Sequence, residues 1–206
     1  MEFDLIVRIV SLAIGYAFGC IQTAYIVGRL VKKIDVRDYG SGNAGTSNVI
    51  RVVGKKAGLI VFVCDVLKAI AAFVVCSLIF SNSLLSTVPG AYAGMGVLLG
   101  HNFPFFLNFK GGKGIASSLG VMLVLEWRAA LAVYAVGFCI LMATKYISLS
   151  SLIMTLLFPL ALITLGYSKE VVIIAAIMTV MAFVLHRGNI QRLLNGTERK
   201  LTLFKK

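Results

Sequence analysis

A chain of 206 residues, 59% of them hydrophobic and 14% charged, has too little polar side chain to clothe a water-soluble fold, in which about a quarter of residues carry charge. A bilayer solvates apolar surface directly, so the composition reads as one integral membrane domain over residues 1–206. The net charge of +12 points to an anionic partner, but the basic residues form short clusters between apolar runs without the aromatic interleaving of a strand-binding groove, so membrane phosphates suit them better than nucleic acid.

The N-terminal Met1-Glu2-Phe3-Asp4 offers no basic n-region, and no small-residue cleavage pattern follows, so the run from about Leu5 to Leu30 is expected to remain as the first span. A crossing helix needs about 20 apolar residues. A second span is expected from about Ala57 to Phe80 and a third from about Ala91 to Phe109, with a turn from Ser81-Asn82-Ser83 to Pro89-Gly90 between them. After Gly114 the apolar sequence runs to Leu185, interrupted at Glu126-Trp127-Arg128, at Lys145 to Ser151 and at Gly166 to Glu170. Of the resulting pieces, Ile115 to Leu125 is short for a crossing. The expected fold is an all-α polytopic transmembrane bundle, seven spans preferred, five with re-entrant segments the alternative. The cysteines Cys20, Cys64, Cys76 and Cys139 lie inside apolar stretches without metal or disulfide spacing and read as buried small residues.

Lys and Arg set the orientation, since they accumulate in cytoplasmic loops. Lys32, Lys33, Arg37, Arg51, Lys55 and Lys56 follow the first span; Lys110 and Lys113 follow the third; Arg187, Arg192, Arg199, Lys200, Lys205 and Lys206 mark the tail. Placing these inside leaves Arg8, Arg128 and Lys169 outside, with an external N-terminus, a cytoplasmic C-terminus and an odd number of spans. No repeat of 20 to 50 residues suggests a solenoid or an inverted-repeat transporter.

Three segments on the expected cytoplasmic side carry anion-binding chemistry. The first reads Gly40-Ser41-Gly42-Asn43-Ala44-Gly45-Thr46-Ser47-Asn48 with Arg51 following. Glycines let backbone N–H groups approach an anion, small polar side chains add donors, and an arginine neutralises charge. The same letters satisfy a dinucleotide fingerprint, but that motif needs a strand, a turn and a helix, whereas this loop joins two membrane-length segments. The second segment is Gly100-His101-Asn102-Phe103-Pro104-Phe105-Phe106 and then Lys110-Gly111-Gly112-Lys113-Gly114. It lacks the glycine spacing of a Walker A loop, yet two lysines on a glycine turn opening a helix can hold a phosphate; taken singly, His101 reads as a packed interfacial residue. The third, His186-Arg187-Gly188-Asn189-Ile190-Gln191-Arg192 before Gly196-Thr197-Glu198, places His186, Asn189 and Arg192 on one face if the last span continues as helix. Within the second span Asp65 and Lys68 share a helical face and are expected to pair, and Gln22, Thr23 and Tyr25 are expected to face the bundle interior.

Together, GSGNAGTSNVIR, GHNFPFFLNFKGGKG and HRGNIQR resemble the bacterial acyl-phosphate:glycerol-3-phosphate acyltransferase family, PlsY. The resemblance covers essentially the whole chain, including Ser148 to Ser151 at another cytoplasmic helix boundary. Small departures are Gly45-Thr46-Ser47-Asn48, where Gly-Ala-Thr-Asn is common, and Ala69 after Lys68, where glycine is common.

The resemblance implies transfer of a fatty acyl group from acyl phosphate to the sn-1 hydroxyl of glycerol 3-phosphate at the cytoplasmic face of the bacterial inner membrane. Phosphate leaves and lysophosphatidic acid forms, the first step of phospholipid synthesis. It implies that Ser41, Gly42, Asn43 and Asn48, with Lys110 or Lys113, hold the acyl phosphate. Arg51, Lys110 or Lys113, His186, Asn189 and Arg192 would grip glycerol 3-phosphate, with Ser148 or Ser151 near the same cavity. The proton acceptor is either His186, whose side-chain type titrates near neutrality, or a phosphate oxygen of the substrate; the latter is preferred, since neither a Ser-His-Asp arrangement nor a His-x4-Asp pair is present. No metal or cofactor is called for, and the partners are the two substrates and membrane lipid. A membrane anion transporter is the alternative, but it would distribute charge through the bilayer depth.

Overall fold

The computed structural model describes residues 2–81 and 87–201; Asn82 and Ser83 of the expected turn, and Lys205 and Lys206 of the tail, lie outside the described residues. The helices are α1 (Glu2–Gly19), α2 (Thr23–Lys32), α3 (Thr46–Val52), α4 (Lys55–Ser81), α5 (Thr87–Asn102), α6 (Ile115–Leu125), α7 (Trp127–Thr144), α8 (Ile147–Thr164), α9 (Lys169–Leu185) and α10 (Arg187–Leu194). Short 3-10 turns at Val36–Asp38 and Phe105–Leu107 complete a fold without strands among the described residues. The helices group into two compact units, Met1–Leu125 and Glu126–Lys206.

In the first unit α1 lies along α5, and α4 packs on both α5 and α6. Glycine explains the closeness of α1 and α5. A Cβ on Gly15 or Gly19 would overlap the carbonyl oxygens of Ala93 or Val97, and one on Gly96 or Gly100 those of Leu12 or Tyr16. Such four-residue spacing of small residues on facing helices lets backbones approach where no hydrophobic effect drives apolar helices together.

The first span is not one continuous helix: it breaks over Cys20, Ile21 and Gln22 between α1 and α2. A broken helix exposes backbone carbonyls, costly in an apolar setting unless something donates to them. Here the Gln22 amide donates to the carbonyls of Gly19 (3.2 Å), Gly100 (3.1 Å) and His101 (3.1 Å), and the Lys68 ammonium to those of Gly19 (3.3 Å) and Ile21 (2.8 Å).

The second unit packs α7 on α8 and α8 on α9. Pro159 lies inside α8 and has no N–H to give to the Thr155 carbonyl four residues earlier. The Thr179 hydroxyl of α9 supplies the missing donor at 2.6 Å. Tyr167, between α8 and α9, donates to Glu126 at 2.9 Å; burial and that bond push its phenol up to about 12. At the other end α9 stops at Leu185, and α10 departs at 61° about His186.

Among the described residues four segments have the length and apolarity to cross a membrane, Asp4–Lys32, Lys55–Phe80, Trp127–Thr144 and Ile147–Thr164, and the bent pair α9 and α10 adds a fifth if it counts as one span. α5 has 16 residues and α6 has 11. Rising 1.5 Å per residue, α6 reaches about 16 Å, roughly half of a hydrocarbon core. Cys20 and Cys76 are buried as expected, whereas Cys64 and Cys139 stand on exposed helix faces; a face exposed on a spanning helix is apolar surface for lipid, so these two need no protein neighbours.

Candidate functional site

The first unit brings two of the three expected loops together. After α2, Asp35 accepts from the backbone N–H of Arg37 and starts the 3-10 turn. The Arg37 guanidinium closes on the same carboxylate at 2.7 Å, and this hydrogen bond, against the opposing effect of burial, holds Asp35 below the usual carboxylate range. The loop then turns through Gly40 and Gly42, both at positive φ.

Asn48 clasps this loop. Its Oδ1 accepts from the Ser41 N–H (2.8 Å), and its Nδ2 donates to the carbonyls of Val36 (2.8 Å) and Tyr39 (3.1 Å). A Cβ on Gly40 would overlap that Oδ1. Asn48 is therefore occupied internally and shapes the cradle, while Ser41 and Gly42 are exposed and Asn43 half-buried. Arg51 is exposed on the last turn of α3. Val36, Ala44 and Val49 anchor the loop in an apolar cluster with Ala24, Val27, Ala57 and Val61.

The second loop is seated against the first. Arg37, which sequence reasoning counted only as charge, reaches across to the carbonyls of Leu107 (3.1 Å) and Lys110 (3.0 Å). The N–H groups of Gly111 and Gly112 donate to the carbonyls of Asn102 and His101, each at 3.0 Å. A Cβ on Gly112 would overlap His101 Nε2 and lie 2.7 Å from the Ala44 carbonyl oxygen, so glycine is what lets both loops close on one point. Lys110 is exposed and Lys113 half-buried, and Gly114, at φ +75°, leads into α6. Around these loops three buried polar atoms have no hydrogen-bond partner: Thr46 Oγ1, Asn102 Oδ1 and Ser117 Oγ. Two are hydroxyls able to donate, and buried polar groups left unmatched are costly, so a ligand anion is a natural complement.

Beneath the loops lies a buried charged set. Lys68 pairs with Asp65 at 2.8 Å, as their spacing predicts, and also meets His101 Nδ1 at 2.9 Å. Thr23 donates to Asp65 at 3.3 Å. Gln22 and Thr23 face the interior as expected. Tyr25 instead lies half-buried between the guanidinium groups of Arg29 (5.3 Å) and Arg37 (5.6 Å), because a ring face attracts cations.

In the second unit, Ser148 (2.8 Å), Asn189 (2.6 Å) and Arg192 (2.7 Å) converge on the carboxylate of Glu198. Burial raises the pKa of Glu198, but the bonds from Asn189, Ser148 and Arg192 outweigh it and bring it below the usual range. The expected face through His186, Asn189 and Arg192 is modified by the bend: His186 is buried at the hinge, donating from Nδ1 to the Ala182 carbonyl at 2.8 Å, while Asn189 and Arg192 project from α10. Ser151 is also buried and returns its hydroxyl to the Ile147 carbonyl of its own helix, 2.8 Å away. Sequence reasoning quoted Glu198 behind the third segment but gave it no role, although it is the sole acid after Glu170.

The sequence model of the family described as Glycerol-3-phosphate acyltransferase matches residues 9–196. A glycerol-3-phosphate acyltransferase of Thermoanaerobacter pseudethanolicus is 42% identical over 193 residues, covering 94% of this chain and 95% of the relative. One of Endomicrobium trichonymphae is 40% identical over 205 residues, covering 98% and 100%. Among solved structures, the integral membrane glycerol 3-phosphate acyltransferase PlsY (YgiH) in its glycerol 3-phosphate form superposes with a TM-score of 0.86 at 34% identity, over 95% of this chain and 96% of that one. Its lysophosphatidic acid form gives 0.84.

Proposed function

Given that the chain belongs to the glycerol-3-phosphate acyltransferase family, we propose that it acylates the sn-1 hydroxyl of glycerol 3-phosphate from an acyl phosphate, releasing phosphate and lysophosphatidic acid. The observation that carries this reading is the seating of the Lys110–Gly114 turn on the Gly40–Asn48 loop, with unpartnered Thr46 and Ser117 hydroxyls beside them. Glycines and lysines there offer N–H donors and positive charge, the complement of a phosphate.

In the reaction the sn-1 oxygen forms a bond to the acyl carbonyl carbon, and the bond from that carbon to the phosphate oxygen breaks. The hydroxyl proton passes to a phosphate oxygen of the substrate, or to His186, whose Nδ1 donates to a carbonyl and so leaves the neutral ring's lone pair on Nε2. An acyl phosphate is already activated, so the protein's principal task is to bring two anions together and offset their repulsion. Ser41, Gly42, Asn43, Lys110 and Lys113 serve the phosphate of the acyl donor in this reading, with Asn48 shaping their loop, and Arg51 serves glycerol 3-phosphate. In the second unit Asn189 and Arg192, with Ser148 or Ser151, are the residues we assign to glycerol 3-phosphate. We take residues 1–206 to work as one domain in the bacterial inner membrane. Its seven apolar crossings are α1 with α2, then α4 to α9, the N-terminus outside and the catalytic loops toward the cytoplasm.

The test is incubation of purified protein with acyl phosphate and labelled glycerol 3-phosphate in chelator. Equal yields of lysophosphatidic acid and free phosphate are expected. Product formed from an acyl thioester but not from acyl phosphate would displace the donor assignment, and no product from either would displace the reaction.

A further inference from the structure

Ionisable groups inside a membrane domain are expensive to bury and are kept where they are paired or at work. Asp65 and Lys68, on a membrane-length helix, are almost wholly buried, and neither belongs to the loops assigned to substrate. The contacts of Lys68 are too many for simple pairing. Its ammonium reaches Asp65 (2.8 Å), the carbonyls of Gly19 and Ile21 at the helix break, and His101 Nδ1 (2.9 Å). An ammonium only donates, so His101 Nδ1 accepts and the ring proton of neutral His101 sits on Nε2. That edge of the ring is what a Cβ on Gly112 would strike, while the His101 carbonyl accepts from the Gly112 N–H at 3.0 Å. The same carbonyl also accepts from Gln22 at 3.1 Å. His101 is thus held by Lys68 and Gln22 on one side, and on the other supports the glycine turn through both its ring and its backbone.

We propose that Asp65, Lys68 and His101 are positioning residues for the Lys110–Gly114 turn: Asp65 orients Lys68, Lys68 fixes the His101 ring, and His101 sets the height and tilt of Gly112. None of the three touches substrate. This rests on the reading of that turn as a phosphate-binding element. The carboxylate and the ammonium stabilise each other, so removing one alone strands a buried charge. The natural perturbations are therefore removal of both charges together, or loss of the His101 acceptor alone.

The experiment compares wild type, D65N/K68M, H101Q, H101N and the triple variant D65N/K68M/H101Q by steady-state kinetics with glycerol 3-phosphate and acyl phosphate, on protein that elutes as a single species. Asn places an acceptor near the Nδ1 position and Gln does not, so H101N is the conservative rescue. We expect H101Q and D65N/K68M each to raise KM for glycerol 3-phosphate or acyl phosphate at least tenfold with kcat within threefold of wild type. H101N should recover at least half of the H101Q effect on a logarithmic scale. The triple variant should be no more than threefold worse than the worse of its parents, because parts of one chain of contacts do not add. Unchanged KM for both substrates in H101Q, with only the folded fraction reduced, would overturn the proposal; so would full additivity. If D65N/K68M does not fold, H101Q against H101N still decides, since both leave the ion pair in place. Wild-type protein that acylates glycerol 3-phosphate while H101Q keeps its KM refutes the positioning role alone, whereas wild-type protein with no acyl transfer refutes the underlying reading as well.

Discussion

Single side chains in this protein are spent in ways that their chemical type does not announce. Asn48 and Glu198 are the clearest cases: the first is an amide in a glycine loop that closes the loop on itself, and the second is a carboxylate that gathers Ser148, Asn189 and Arg192. Because the pKa of Glu198 lies below that of the unfolded chain, about 4.3 for a free glutamate, its contribution to stability is complete above that value. It is lost as pH falls through the folded pKa. The Tm of wild type should therefore exceed that of E198Q at pH 7, and the gap should narrow progressively as the pH is taken below about 4, read by thermal unfolding of both proteins side by side; a gap independent of pH would dismiss the carboxylate as its source. His186 poses a separate question, whether an imidazole buried at the α9–α10 hinge accepts the substrate proton. With the substrate phosphate as base, H186Q should retain turnover within tenfold at saturating substrate. A loss above a hundredfold with unchanged KM would transfer that role to the histidine.

At the level of elements, the two glycine loops close on each other with the help of a residue that stands between them and the first span. Arg37 binds Asp35 through Nε and Nη2 and the Leu107 and Lys110 carbonyls through Nη1, and a lysine cannot span that fork. R37K should thus behave nearly as badly as R37A. Each is expected to lose about 1–3 kcal/mol of local stability from the broken charge-assisted bonds, and to raise KM for glycerol 3-phosphate or acyl phosphate several-fold, which kinetics on both variants will show; an R37K enzyme with native KM for both would mean the loops dock without this brace. The helices themselves were legible, because continuous apolar runs and glycine-containing breaks mark them at low resolution: Ala57 to Phe80 became Lys55–Ser81, and the short Ile115 to Leu125 became α6 with the same bounds. The break at Cys20–Gln22 was hidden. Its cause is a set of donors from Gln22 and Lys68 to open carbonyls, a tertiary fact without a local marker, and Gln22 in an apolar run looked like helix-to-helix glue. The bend at His186 was hidden in the same way, since no proline marks it. The turns at Gly40, Gly42 and Gly114 could be read from residue types, but the internal duty of Asn48 depends on partners up to twelve residues away along the chain.

Across the molecule, each unit gathers its loops at defined ends, and this constrains how it can lie in a bilayer. In the first unit the segments holding Arg37 and Lys110 touch, so they occupy one side. In the second, the tail's Leu201 N–H donates to the Lys145 carbonyl at 2.7 Å, which puts the α7–α8 turn and the tail at one end, while Tyr167 and Glu126 meet elsewhere. The seven alternating crossings proposed above, with an external N-terminus, would place the Lys33, Lys110, Lys145 and Arg199 segments inside and the Glu126 and Lys169 segments outside, the arrangement that cytoplasmic retention of basic residues favours. Single cysteines at Lys33, Lys145 and Lys169, in protein lacking the four native cysteines, turn this into a measurement with a membrane-impermeant thiol reagent on intact cells. K169C should label at once, and K33C and K145C only after permeabilisation. Labelling of K33C in intact cells would invert the first unit, and protection of K169C with labelling of K145C would invert the second, so each half of the topology stands or falls on its own residue.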